Sequence, residues 1–556
     1  MGGGAKVRAT GGLWRKGAGM AQAEIWDVLV IGSGSAACAA ALRAAKGGLR
    51  VLAVEKTEWL GGTSAMSGAG IWIPANHVAR REGIADSRDE ALNYLRATAP
   101  EGWARDEDAL WQGFVEHAPR MLEFLEASTP LRLRLVEEPD PFAEAPGGKL
   151  RGRMVSPDAL SRRLVGRFAR NMRRSTLPHL FTYQEGIEHD LYHHPIRAGL
   201  KLWPKLLRRL LANAGGQGTA LMTGLIRGCL DAGVTFRLET RALALTQDET
   251  GAVTGAEVEH GGQRQVIAAT RGVVLATGGF EWDAAMREAH FPGPLDRLGS
   301  PRANEGDGQR MAAAAGAQMA RMDQANIYPC LPTRYQGRPH GMPMTFQAEP
   351  HSIVVNRHGQ RFVSENDFNI GEAMDRRDAD GRPTHLPCYL VGDRRFPKTS
   401  LPFRWYAAYD PGWVKTSATI EGLAAELGLP PAALRASIER WNGFCAAGRD
   451  ADFRRGESGW EDYKAHGPEN RLKPIDRAPY VGMSLNRSIL GTKGGARTNA
   501  GAQALRPDGS VIAGLYAAGL AMANPFGTRA VGAGTTLGPN MTWGFIAAET
   551  LLTQNR

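Results

Sequence analysis

The residues most able to do chemistry by their spacing are Gly32, Gly34 and Ala37, in the run Gly32-Ser33-Gly34-Ser35-Ala36-Ala37, and the carboxylate of Glu55. A G-x-G-x-x-[GA] turn lets the backbone close tightly, approach a pyrophosphate and start a helix packed against its strand. Gly32 permits the turn, Gly34 the approach and Ala37 the packing, while Ser33, Ser35 and Ala36 complete the cradle. The helix N-terminus then offers free N–H groups and a positive dipole end to the phosphates. Glu55 follows about 20 residues later, where an acid binds ribose hydroxyls. The chemistry implied is dinucleotide binding. No S-x-x-K, G-x-S-x-G or H-E-x-x-H pattern has supporting context, and no cysteine pair has metal-ligand spacing, so hydrolase and metal-centre chemistry are poor readings.

The elements that must position these residues surround them. Trp26-Asp27-Val28-Leu29-Val30-Ile31 suits a strand buried on both faces, Cys38 to Lys46 an Ala/Leu-rich helix, and Arg50 to Val54 a second strand ending at Glu55. With 556 residues and 43% hydrophobic content, the chain can bury a large core in two or more domains. No run of eighteen apolar residues is present, so no membrane-spanning helix is expected. Residues 1–23 are Gly-rich and basic without a secretory apolar stretch, and read as a disordered tail with Met20 an alternative start. Five scattered cysteines (Cys38, Cys229, Cys330, Cys388, Cys445) suit reduced thiols in the cytoplasm.

The net charge of +10 is concentrated between Ser161 and Leu210, where eleven Lys/Arg face three acids. No nucleic-acid recognition motif accompanies it. The window reads as a basic helical insertion near 155–212. Leu200, Trp203, Leu206, Leu207 and Leu210 there allow at most a peripheral membrane contact, and Pro204 is expected to interrupt any helix.

Further motifs carry a resemblance. Glu55-Lys56 is followed by Gly61-Gly62-Thr63-Ser64 and a small-residue stretch with Ser67 and Gly68. Ala276-Thr277-Gly278-Gly279-Phe280 ends a buried strand, Asn304-Glu305-Gly306-Asp307-Gly308 forms a loop, and Val354-Val355-Asn356 leads into Arg361-Phe362-Val363-Ser364-Glu365. Gly514 to Gly519 is a strand and turn, and after the run Gly532-Ala533-Gly534-Thr535-Thr536-Leu537 the segment Gly538-Pro539-Asn540-Met541-Thr542-Trp543-Gly544 opens the last helix. Over about residues 25–550 this resembles the fumarate reductase/3-ketosteroid dehydrogenase superfamily of flavoproteins. The resemblance implies non-covalent FAD, held by residues 32–37, Glu55, Lys56, Gly61, Gly62, Thr63, Ser64, Ser67, Gly68, Ala242, Ala276, Thr277, Gly278, Gly279, Asp307, Gly519, Gly534, Thr536 and Leu537, with no metal. It implies an α/β fold: a discontinuous Rossmann-like FAD-binding domain (24–298 and 476–556) with an inserted α+β cap (299–475).

Leu490-Gly491-Thr492-Lys493-Gly494-Gly495 and Glu144-Ala145-Pro146-Gly147-Gly148 resemble the 3-ketosteroid dehydrogenase branch. The fumarate reductase branch fits less well, because Asn366 to Gly371 lacks its proton-donating arginine. The ketosteroid branch implies three tyrosines, but Pro141, Asn369 and Ala530 stand in their places. Gly534 keeps the oxyanion-binding N–H position. Arg529 and Tyr328 are the candidate replacements, with Tyr335, His340 and His351 further possibilities and Arg361 and Glu365 expected to orient the cap against the flavin domain. The expected activity is desaturation next to the carbonyl of a cyclic ketone, with a 3-ketosteroid one candidate and a quinone-like electron acceptor. An enoate reductase and an inactive FAD binder are the alternatives.

Overall fold

The computed structural model describes residues 24–465 and 467–554. The expected N-terminal tail lies outside them. A sheet runs through the first body in the order Gln503–Leu505, Val511–Ala517, Gln263–Leu275, Glu24–Ile31, Val51–Val54 and Thr235–Arg237. Its central strands are parallel, with Val28 paired to Val51 on one side and Gly272 on the other. Val28, Leu29, Val30 and Ile31 are buried, as a strand covered on both faces requires.

The helix Ser35–Lys46 lays its buried alanines against the last helix, Leu537–Thr553. A Cβ on Gly544 would stand 2.2 Å from the Ala36 carbonyl, so this close crossing needs glycine there. The first and last helices of the described residues thereby cross directly after the nucleotide turn.

The second body is built on an antiparallel sheet of Ser352–Asn356, Cys388–Asp393, Tyr480–Ser484 and Lys415–Ser417. Ile353, Val355 and Val391 face the helices Ile420–Leu427 and Pro431–Ala447, while Val354 and Leu390 face Leu331, Phe346 and Phe403. This is the period-two alternation of a sheet covered on both sides. The elements cross the expected boundaries at both ends. Tyr480–Ser484 pairs inside the cap sheet, beyond position 475. The helix Asp307–Ala314 buries Met311 and Ala312 in the first core, because its N-terminus closes the nucleotide pocket.

The basic region is less helical than expected. It opens with short strands and 3-10 turns, and its regular helices are Tyr183–Glu188 and Pro195–Leu211. Pro204, expected to interrupt a helix, lies inside the second one. Pro204 is exposed, so the Leu200 carbonyl it leaves without an N–H can face water. His193 bonds its near neighbour Asp190 (2.7 Å) and ties this region to the cap through Glu349 (2.9 Å). Burial opposes its charge, but the two carboxylates prevail and push its pKa up to about 10.

Arg361 and Glu365 do not bridge the two bodies. Arg361 grips Glu365 with two bonds of 2.8 Å and Asp450 at 2.8 Å, and Arg455 adds a 3.0 Å bond to Glu365. All four belong to the cap, where buried charges must be paired internally.

Candidate active site

The glycine turn after Glu24–Ile31 opens onto a pocket with about 830 Å³ of empty space. Gly32 has φ +118, and a Cβ there would lie 2.3 Å from the Ala276 carbonyl. A Cβ on Gly62 would lie 3.5 Å from Gly34 Cα, so the first and second glycine turns touch. Ser64 fastens them, its Oγ accepting from the Ser35 N–H at 3.2 Å. Glu55 is held by Ser33 Oγ at 2.6 Å and by the Thr57 N–H at 3.0 Å. Lys56 donates to Asp307 at 2.7 Å and to Glu305 at 2.9 Å. Burial opposes ionisation of Asp307, but Lys56 and Arg241 hold its carboxyl below the usual carboxylate range.

Of the residues expected to hold FAD, Gly32, Ser33, Gly34, Ser35, Ala36, Glu55, Lys56, Gly62, Thr63, Ser64, Ala242, Ala276, Thr277, Gly278, Asp307 and Gly519 line this pocket. Ala37 is buried behind it in the helix, and Gly61 braces it by donating to Ser33 Oγ at 3.1 Å. Gly279 packs on Thr492 and Glu281, away from the lining. Ser67, Gly68, Gly534, Thr536 and Leu537 lie outside this lining; the Ser67–Gly70 stretch forms a floor that Gly534 meets at the Gly70 carbonyl.

Sequence reasoning missed Arg173 and Arg241, two cations on the pocket wall, together with Thr240 and Met311. Neither arginine sits in a local motif. Arg173 is 5% exposed, donates to Thr57 Oγ1 at 3.1 Å and to the Tyr335 hydroxyl at 3.4 Å, and leaves its Nε without a partner. Thr277 Oγ1 and Asn540 Oδ1 are also buried on this wall without partners. Orphaned polar atoms around a glycine-lined cradle fit a large polar cofactor.

Gly534 has φ +88, and a Cβ there would lie 2.5 Å from the Gly70 carbonyl. Its N–H donates to no backbone group among the described residues. The positions of the missing tyrosines are filled otherwise. Asn369 accepts from the Ala530 N–H at 2.8 Å and donates to the Ala530 carbonyl at 3.0 Å. Pro141 is buried. Arg529 is clamped by Glu372 through bonds of 2.7 and 2.8 Å and by the Thr98 carbonyl at 3.2 Å, on a surface cleft shared with Asp367 and Arg376. Tyr328 stands elsewhere, in a half-buried polar cluster with Tyr183 and Glu138. His340 bonds the Ser300 and Gly341 carbonyls and His351 the Pro474 carbonyl, and burial lowers the pKa of both.

The sequence profile of the FAD binding domain family matches residues 27–537. The chain is 35% identical to 4-oxocyclohexanecarboxylate 2-dehydrogenase of Sinomonas cyclohexanicum, covering 95% of this chain and 93% of that protein. It is 34% identical to 3-oxosteroid 1-dehydrogenase of Mycobacterium tuberculosis, covering 94% and 97%. The structure superposes on 3-ketosteroid delta1-dehydrogenase from Sterolibacterium denitrificans, solved with 1,4-androstadiene-3,17-dione, with a TM-score of 0.85 at 32% identity over 95% and 99% of the two chains. The chain belongs to this FAD-binding family of flavoproteins, in the branch of the fumarate reductase superfamily that contains the 3-ketosteroid dehydrogenases, and is an FAD-dependent oxidoreductase.

Proposed function

We propose that the protein desaturates a cyclic ketone next to its carbonyl, using non-covalent FAD and passing the electrons to a quinone-like acceptor. FAD held in this pocket would supply a two-electron oxidant able to take a hydride from carbon. The residues that would hold it are the two touching glycine turns at the phosphates, Glu55 at a ribose, and the floor around Ser67 and Gly68. The observation that carries the reading is Gly534, a half-buried left-handed glycine with an uncommitted N–H, pressed against that floor. Such an N–H suits the oxygen of a ketone whose α-hydrogen is to become acidic. Donors of this type contribute roughly 3–4 kcal/mol each in well-studied enzymes. Arg529 is committed to Glu372, so the enoate-reductase alternative lacks its fixed cation there. Mixed anaerobically with oxocyclohexane carboxylates and 3-ketosteroids, the holoprotein should bleach with at least one ketone. Inertness to every ketone, with reoxidation of the reduced protein by an enoate, would overturn the reading.

A surface helix extends the proposal to location. No helix of the described residues is long and apolar enough to cross a membrane. Pro195–Leu211 nevertheless exposes Ile196, Leu200 (71%), Trp203 (60%), Leu207, Leu210 and Leu211 (69%). Arg197, Lys201, Lys205 and Arg208 flank that stripe, and the helix contains no acid. Apolar side chains in a cationic frame fit the plane of an anionic bilayer, with each cation contributing about 1 kcal/mol. The five free cysteines fit the reducing cytoplasmic side. The protein should sediment with phosphatidylglycerol vesicles and not with neutral ones. A Leu200→Glu/Trp203→Glu variant should lose at least about tenfold in that binding; unchanged sedimentation of the variant sinks the contact.

A further inference from the structure

Five ionisable side chains from four parts of the chain converge beside the floor. Glu138 is 5% exposed, and the Tyr183 hydroxyl donates to its Oε2 at 3.0 Å. The Tyr183 ring stands against the floor itself. A Cβ on Gly68 would lie 3.0 Å from its Cδ2, and one on Gly70 would lie 3.8 Å from its Cε2. Gly70 is also the residue whose carbonyl abuts Gly534. Tyr183 and Gly534 therefore meet at the same glycine, one offering a phenol and the other an N–H. Lys464 acts electrostatically on Glu138, and the Glu138 charge in turn raises the pKa of Tyr328 and Tyr463, beyond the larger effect of their burial. All three are half-buried, and none of their side chains has a hydrogen-bond partner among the described residues.

The surroundings of Glu138 differ from those of the structural carboxylates. Glu281 accepts from Ser300, from Asn304 and from both the N–H and the hydroxyl of Thr492. Glu365 accepts from two arginines and the Val354 N–H. Glu138 accepts from one side chain, a phenol that can itself exchange a proton. A buried carboxylate with so few donors is poor structural material. Burial raises its carboxyl above the usual range, against the opposing influence of Lys464 and Tyr183. That moves a carboxylate toward the basicity wanted of a general base near neutral pH.

We propose that Glu138, acting through Tyr183, is the proton acceptor of the desaturation, taking the work of the phenols missing at Pro141, Asn369 and Ala530. The proposal rests on the ketone-desaturase reading. The substrate's α C–H bond breaks and its proton passes to the Tyr183 oxygen, while the Tyr183 proton passes to Glu138 Oε2. Tyr183 ends neutral and Glu138 ends as the carboxylic acid. The electron pair of the broken bond forms the C=C, and the β-hydrogen would leave as hydride, FAD supplying the two-electron oxidant when bound. The groups facing Glu138 are Tyr183, Tyr328, Tyr463 and Lys464, with Glu349 beyond Lys464. Flavin reduction should accordingly rise with pH as Glu138 ionises.

The test compares wild type, Glu138→Gln, Glu138→Asp and Tyr183→Phe as holoproteins of equal flavin content. Two readouts are taken across the neutral pH range. One is anaerobic bleaching by a ketone. The other is wash-in of deuterium from D₂O at the ketone's α-carbon with the flavin already reduced, where no hydride transfer is needed. Glu138→Gln and Tyr183→Phe should lose about 10²–10⁴-fold in both, and Glu138→Gln should lose the acid limb of the pH profile. Glu138→Asp should keep that limb at a reduced rate. If Glu138→Gln bleaches and exchanges within about threefold of wild type with its acid limb intact, Glu138 is not the acceptor. A wild type that neither bleaches nor exchanges overturns the ketone reading itself, and the two failures are thereby distinguished.

Discussion

Gly32→Ala protein should purify folded and nearly colourless. Gly32 adopts φ +118, and the added Cβ would meet the Ala276 carbonyl at 2.3 Å. Holding a residue with a Cβ in such a conformation costs about 1–3 kcal/mol, before any clash is relieved. Relief means pushing back Ala276 and Thr277, which line the same pocket. With roughly 1.4 kcal/mol per factor of ten, FAD affinity should fall at least about a hundredfold. The check is the ratio of flavin to protein absorbance, with far-ultraviolet circular dichroism to confirm the fold. Gly48→Ala is the control: its φ of +90 is equally left-handed, but a Cβ there meets nothing within 4 Å. It should lose stability and keep its flavin. A Gly32→Ala protein with stoichiometric flavin would remove the turn from the binding argument.

Glu365→Ala should unfold the cap far below the melting temperature of the wild type. Glu365 is completely buried between Arg361 and Arg455, which are 6% and 1% exposed. Burial favours the neutral acid, but the two arginines prevail and hold its carboxyl below the usual range. Removing it leaves Arg455 with backbone carbonyls alone and Arg361 with Asp450. Breaking a buried pair from one side costs about 3–5 kcal/mol, a large share of a typical 5–15 kcal/mol. For a body of this size the shift should be about 10 °C. Calorimetry should show the cap transition separating below that of the flavin body. Coincident melting within a degree or two of wild type would show that the network carries no net stability.

The nucleotide half of the protein was legible because its chemistry is local. Glycines at fixed spacing after a β-branched run specify a turn whatever the rest of the chain does, and Glu55 follows from strand length. Arg173 and Arg241 were not legible, since each reaches the pocket from a separate strand or loop and nothing nearby in sequence marks it. The Glu138 cluster was hidden for the same reason. Its members lie near positions 138, 183, 328 and 464, and no spacing rule connects them. Tyr328 could be singled out as a phenol, but its partners could not. Pro204 was misread because helix-breaking is costly only where the freed carbonyl is sealed from water. Arg529 looked like a substrate ligand because Glu372, its partner, stands 157 residues away in the chain.

The reciprocal amide between Asn369 and Ala530 makes residue 369 a clasp on the main chain of residue 530. Asn369→Tyr alone would strip both hydrogen bonds from the Ala530 backbone, at about 1–3 kcal/mol for each group left unsatisfied. Ala530→Tyr alone would have to place a phenol beside an amide already committed to that backbone. The cost of substitution is therefore one-sided: it falls on residue 369, whereas a change of the residue 530 side chain leaves the clasp closed.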